Sequence, residues 1–189
     1  MNNNMYEFSV PPVNEKFQKM CYNLISVFMV IDIILGVLAF FMGLYFIDLF
    51  ILAIMLAVIA VVLFFVRKKF YNFYDYIFID GSIRIIRVVN NVKRKKVLVF
   101  DVKDIKSIGM LGGSTHEKFN TNKEVKKLYG MGKGELLEGD YVFNVYIDGT
   151  NYLLFLRQNE TFLRYIVKMI GITKFDKDFI EKIKKSENK

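Results

Sequence analysis

The stretch that decides the fold is residues 24–66, LISVFMVIDIILGVLAFFMGLYFIDLFILAIMLAVIAVVLFFV. Its 43 residues carry two charges, Asp32 and Asp48. A helix needs roughly 20 apolar residues to cross the hydrocarbon of a bilayer, so the stretch holds two spans rather than one. The first is expected at about Tyr22 to Phe41 and the second at about Leu49 to Val66. Met42–Ile47 is then a very short turn, with Asp48 suited to cap the second helix. A buried hairpin in a soluble core fits less well, because Leu49–Val66 has no polar face and soluble helices seldom lack one. A cleaved secretory leader fits no better: the first twenty residues are of mixed charge, no small-residue cleavage motif follows, and a second span begins almost at once.

Basic residues flank the pair on one side. Lys16 and Lys19 precede the first span, Arg67, Lys68 and Lys69 follow the second, and the turn has no Lys or Arg. The charge bias of membrane proteins then predicts a multi-pass protein of the cell membrane with both termini cytoplasmic. Inside the hairpin, Asp32, Gly36, Ala39 and Gly43 share one helix face, and Ala53, Ala57 and Ala60 share a face of the second. Small residues let helices pack closely in lipid. Asp32 is the exception among them. A carboxylate at mid-membrane costs about 2.5–3.5 kcal/mol on insertion scales, and its neighbours on the second helix, Ala57 or Ala60, offer it nothing. It is read as an intramembrane contact with another subunit, against the alternatives of a tolerated neutral acid and a transport role.

After Lys69 the composition changes. Residues 67–189 hold 25 Lys or Arg against 15 Asp or Glu, and short β-rich runs alternate with turn dipeptides. Phe73–Ile79, Asp80-Gly81 and Ser82–Val89 read as a hairpin. Lys93–Val102 and Asp104–Leu111 read as further strands. Asp140–Ile147, Asp148-Gly149 and Thr150–Leu156 read as a second hairpin, with Tyr141–Ile147 alternating like a half-buried strand. A helix follows, with Asn159 as N-cap, Phe162, Leu163, Ile166, Met169 and Ile170 on one face, and Gly171 as its stop. Residues 172–189 read as a basic helix over Asp176–Lys185 and a frayed tail. Residues 112–140, with six of the twelve glycines, read as a long insertion with a short helix at Asn122–Leu128.

The run YDYIFIDGSIRIIRVVNNVKRKKVLVFDVKDIKSIG, residues 74–109, placed after two spans and a basic step, resembles the bacterial membrane-anchored pleckstrin-homology-like (PH-like) families. It is similar in particular to a family of small two-span proteins of Gram-positive anaerobes. The resemblance covers residues 22–111 and, more loosely, Tyr141 to Ile170. It implies a bent, partly open β-barrel closed by the C-terminal helix, and it carries no activity across. The expected domains are therefore a cytoplasmic N-terminal tail (1–21), a two-helix transmembrane hairpin (22–66), a mainly-β PH-like domain (67–171) with its insertion, and the C-terminal segment (172–189).

No catalytic, cofactor-binding or metal-ligating set emerges, and no enzyme is expected. One cysteine, Cys21, and one histidine, His116, exclude disulfide frameworks and multi-Cys or His-rich metal centres. Cys21 at the membrane edge is read as an inert thiol rather than an acylation site. Gly130-Met131-Gly132-Lys133-Gly134 lacks the spacing and the Ser or Thr of a phosphate loop. Asp101 is read as a cap or turn residue. The basic residues are the functional candidates: Arg67, Lys68, Lys69, Lys93, Arg94, Lys95 and Lys96 are expected to face anionic lipid, where each cation near the surface gains about 1 kcal/mol. The expected partners are the lipid bilayer and a protein partner or second copy, not nucleic acid, since no RNA- or DNA-binding module is visible. Two readings of function remain: a membrane-associated binding or scaffold module, or an accessory subunit of a transport or envelope-maintenance complex.

Overall fold

A computed structural model describes residues 5–89, 92–132, 134–177 and 179–181. The chain divides into two compact units, one built on Pro12–Asn72 and the other on the chain before and after it.

The first unit is a helical hairpin. Helix α1 spans Glu15–Gly43 and α2 spans Ile47–Arg67. At 29 and 21 residues, both are long and apolar enough to cross a membrane. Helix α1 starts seven residues before the expected Tyr22, because nothing between Glu15 and Tyr22 breaks a helix, whereas Pro11-Pro12 lies just upstream. At 1.5 Å per residue it is about 43 Å long, more than the hydrocarbon thickness. The turn is only Leu44–Phe46, and Asp48 lies inside the first turn of α2 rather than capping it; Phe46 occupies the N-cap with no side-chain bond. Glycine is required here: a Cβ on Gly43 would sit 2.7 Å from the Phe50 backbone nitrogen. Only Asp32, Ala39, Gly43 and Ala53 of the two helices are buried, and most of their large side chains are exposed.

The second unit has two four-stranded sheets. Its strands are β1 (Met5–Val10), β2 (Asn72–Ile79), β3 (Ser82–Val89), β4 (Lys93–Asp101), β5 (Ile105–Met110), β6 (Lys126–Tyr129), β7 (Tyr141–Ile147) and β8 (Thr150–Leu156). The sheet orders are β1-β2-β3-β4 and β5-β7-β8-β6. The two expected hairpin turns are present: Asp80-Gly81 and Asp148-Gly149 all have positive φ, as tight hairpin turns need. Asp101 and Asp104 cap a 3-10 turn at Val102–Asp104, where the Asp101 N–H donates to Asp104 Oδ2 at 3.0 Å. Tyr76, Phe78, Ile83 and Ile85 of the first sheet meet Ile105, Ile108, Phe143 and Leu154 of the second in one core.

Helix α4 (Glu160–Ile170) closes that core with Phe162, Leu163 and Ile166. Asn159 caps it by accepting the Phe162 N–H at 2.7 Å. Tyr165, Val167 and Ile170 pack partly buried against the same core, while Met169, expected on that face, is exposed. Two long apolar helices thus accompany two four-stranded sheets that share one core closed by a helix.

Three segments differ from the sequence reading. Met5–Val10, read as a tail, is an edge strand: β1 runs antiparallel to β2, with Val10 opposite Tyr74 and Tyr6 opposite Phe78. Tyr6, Phe8 and Val10 alternate into the core, a period-two signal in a run too short to stand out beside the apolar stretch. The hairpin is therefore an insertion in the connection between two paired strands.

Second, the described residues of the insertion are folded. It folds as α3 (Ser114–Asn120) and β6, not as a helix at 122–128, because β6 gains a parallel partner in β8. Its Val125 and Met131 pack with Val142, Leu153 and Phe155 in a second small core. That explains the third difference: β7 is buried on both faces over Tyr141–Val145 rather than half-buried, since the insertion covers its outer side. The C-terminal segment begins with Phe175 bridged to Ile108, and Phe179 is buried against the core. The expected helix to Lys185 and the tail beyond it lie largely outside the described residues.

Candidate functional site

The basic tetrad forms the first four residues of β4, and all four side chains are exposed. Strand β4 is the outermost strand of its sheet. Lysines at a sheet edge also discourage edge-to-edge pairing, so the tetrad has a protective role in any setting. Its members are not equivalent. Arg94 is 63% exposed, yet its Nη2 lies 3.6 Å from Oδ2 of Asp75, which is 1% exposed. Oδ1 of Asp75 accepts from Ser9 Oγ at 2.7 Å. Arg94 is thus the counter-charge of a buried carboxylate, and Lys93, Lys95 and Lys96 are the surface cations. The sequence reading missed Ser9 and Asp75; an acid inside the apolar run of β2 was the available signal.

The second basic group closes the hairpin. The Arg67 guanidinium sits over the Tyr22 ring at 5.4 Å and the Phe64 ring at 5.9 Å, and its Nη1 donates to Ser26 Oγ at 3.5 Å. Lys68 Nζ lies 3.7 Å from the centre of the Phe64 ring. Arg67 therefore ties the start of α1 to the end of α2. Cations stacked on aromatic faces hold the open end of the hairpin together.

Asp32 is 9% exposed, and its Oδ2 has no hydrogen-bond partner among the described residues. It lines a groove of about 650 Å³ on the hairpin with Gly36, Val37, Ala53, Ala57 and Ala60.

The remaining polar clusters bond internally. Tyr76 Oη donates to the Gly130 carbonyl at 2.9 Å and accepts the Arg157 N–H at 3.0 Å; burial raises its pKa well above the usual tyrosine value. A Cβ on Gly130 would lie 2.6 Å from Leu156 Cδ2, so this glycine permits a close approach rather than cradling phosphate. Arg157 pairs with buried Asp140 at 3.2 Å and donates to the Glu135 carbonyl at 2.9 Å. Asp176 accepts from Thr115 N at 2.8 Å and Thr115 Oγ1 at 2.6 Å, capping α3 from the far end of the chain. His116 Nδ1 accepts the Gly112 N–H at 3.2 Å, and burial, then the charge of Lys127, lowers its pKa. The Tyr76 and Arg157 bonds pin the insertion to the sheets, the Asp176 bonds pin it to the C-terminal segment, and the His116 bond lies within it. Among the described residues no group of three or more His, Cys, Asp or Glu is placed to hold a metal.

A family model described as a bacterial PH-like domain, DUF6106, matches residues 13–175. The chain belongs to this family. The match takes in the hairpin and seven of the eight strands; residues 1–12, which hold β1, and residues 176–189 fall outside it. No curated protein and no solved structure matches the chain. PH-like domains are generally non-catalytic binding modules.

Proposed function

We propose that this PH-like protein is a membrane-anchored, non-enzymatic binding module. Its hairpin spans the cell membrane with both termini cytoplasmic, and its β domain engages the anionic leaflet through Lys93, Lys95 and Lys96. The carrying observation is the pair of helices whose large apolar side chains are nearly all exposed. Such a surface is untenable in water and ordinary in lipid. Basic residues at both outer ends of the hairpin and none at its turn support the orientation. Three cations near an anionic surface supply about 1 kcal/mol each, enough to bias a tethered domain but not to bind a free one tightly.

The test uses the full chain, because a fragment starting at residue 70 would lose β1. Val92, 80% exposed beside the tetrad, is changed to Cys in a Cys21→Ser background and labelled with an environment-sensitive dye. The chain is reconstituted in nanodiscs of phosphatidylcholine with or without phosphatidylglycerol. The expected result is a blue shift in anionic discs that fades with salt and vanishes in Lys93→Gln/Lys95→Gln/Lys96→Gln. Arg94 is kept so that Asp75 retains its partner. Identical spectra in neutral and anionic discs, or a shift that survives the triple substitution, would contradict lipid engagement by β4.

A further inference from the structure

The hairpin groove carries an inference separate from lipid engagement by β4. Within it, small side chains on both helices leave a furrow of about 650 Å³, bounded by Phe40, Phe41 and Phe50 toward the turn. Asp32 lies in its wall, nine-tenths buried, with Oδ2 unpartnered. The other polar side chains of the two helices cannot serve it. Ser26 Oγ already donates to the Tyr22 carbonyl at 2.7 Å, six residues toward the basic end, and Asp48 lies at the opposite end of the hairpin. Acyl chains could fill the furrow but offer no donor. A buried polar group in hydrocarbon without a partner is strongly disfavoured.

We infer that the groove is the interface of a homodimer, in which a second copy of this chain packs its own groove face against the first and the two Asp32 carboxyl groups bond each other. The chemistry is self-complementary: a neutral carboxyl group is at once donor and acceptor, so two of them satisfy each other reciprocally. Depth matching is automatic, since two copies inserted in the same orientation hold Asp32 at the same level. A helix of a different protein would need a donor placed at that level independently. A two-fold arrangement also uses one surface twice, the commonest form of association. The small residues Gly36, Ala57 and Ala60, which line the groove and keep accessible surface, permit the close approach that lipid-embedded helices need.

The test is disulfide crosslinking of full-length Cys21→Ser protein in phosphatidylcholine–phosphatidylglycerol vesicles, each variant carrying one reporter cysteine. Ile33 lines the groove and Ile31 does not; two residues apart on a helix, they face nearly opposite ways. Flotation with the vesicles checks membrane insertion separately, so failure of that reading is distinguishable from failure of the dimer. The expected result is a dimer band from Ile33→Cys and not from Ile31→Cys. Adding Asp32→Leu, which inserts at least as readily, should weaken the dimerisation constant, read from the protein-to-lipid ratio at half-dimer, about tenfold, equivalent to about 1.4 kcal/mol. Asp32→Asn, also both donor and acceptor, should retain it. A monomer at every protein-to-lipid ratio, equal crosslinking from both positions, or a dimer indifferent to Asp32→Leu would overturn the proposal.

Discussion

The hairpin and the β domain solve the same packing problem with opposite residues. In the domain, aromatic and branched side chains fill the interior and Lys93–Lys96 stand outside. In the hairpin, phenylalanine, isoleucine and valine point outward, and the buried positions go to Gly43, Ala39, Ala53 and Asp32. If the hairpin lies in lipid as proposed, the rule is the same in both: the surface matches its solvent and the interior serves packing. Water makes burial of large apolar groups the driving force, whereas lipid removes that drive and leaves close approach and polar contacts to hold helices together. A substitution therefore has a different meaning in each unit.

The largest expected contrast uses one side chain in both places. Phe162 is fully buried under α4, and Phe41 is 61% exposed on α1. Phe162→Ala should destabilise the β domain by about 3–5 kcal/mol, the usual cost of emptying a core aromatic site, while leaving the hairpin in the membrane. Phe41→Ala should leave domain unfolding unchanged. Denaturant titration of the reconstituted chain, followed by tyrosine fluorescence, checks both; equal losses would erase the distinction between the units.

A smaller effect is expected at Tyr76. Tyr76→Phe keeps the ring and strands the Gly130 carbonyl and the Arg157 N–H, for about 1–3 kcal/mol. Hydrogen exchange should show the loss concentrated at 126–132 and 155–157, the junction of insertion and sheet. Protection unchanged there would mean that the insertion is held by its apolar contacts alone.

The smallest effect is a pH dependence. The folded His116 has a pKa below its ordinary 6.5, so the unfolded chain takes up the proton first. The associated stability is complete above pH 6.5 and is lost as pH falls through the folded value. A protonated ring also cannot accept the Gly112 N–H. Thermal unfolding at pH 7.5 and pH 5 should show a drop that His116→Gln reduces; an equal drop in the variant would assign it to the carboxylates.

Much of this was legible in the sequence because the signals are local. Forty-three residues with two charges announce two long apolar helices, Asp-Gly pairs at 80–81 and 148–149 require hairpin turns, and Asn159 announces the start of α4. What escaped depends on partners distant in the chain. Met5–Val10 becomes a strand only because Tyr74–Ile79, some seventy residues on, offers an edge. The insertion is ordered by β8 and by Asp176, neither of which its own glycine-rich composition reveals. The same reason hid the division of labour within the basic tetrad, where Arg94 answers Asp75 across the sheet.

The central claim is that a membrane hairpin has been inserted between two paired strands of a PH-like domain. Since Val10 faces Tyr74 across β1 and β2, an Asn-Gly turn in place of residues 11–73 should close that pair directly. The decisive measurement is the fractionation of this shortened chain beside the full one. The shortened chain should appear in the soluble fraction as a cooperatively unfolding β domain, while the full chain stays in the membrane pellet after alkaline extraction. A shortened chain that remains with the membrane, or a full chain released by alkali, would contradict the account.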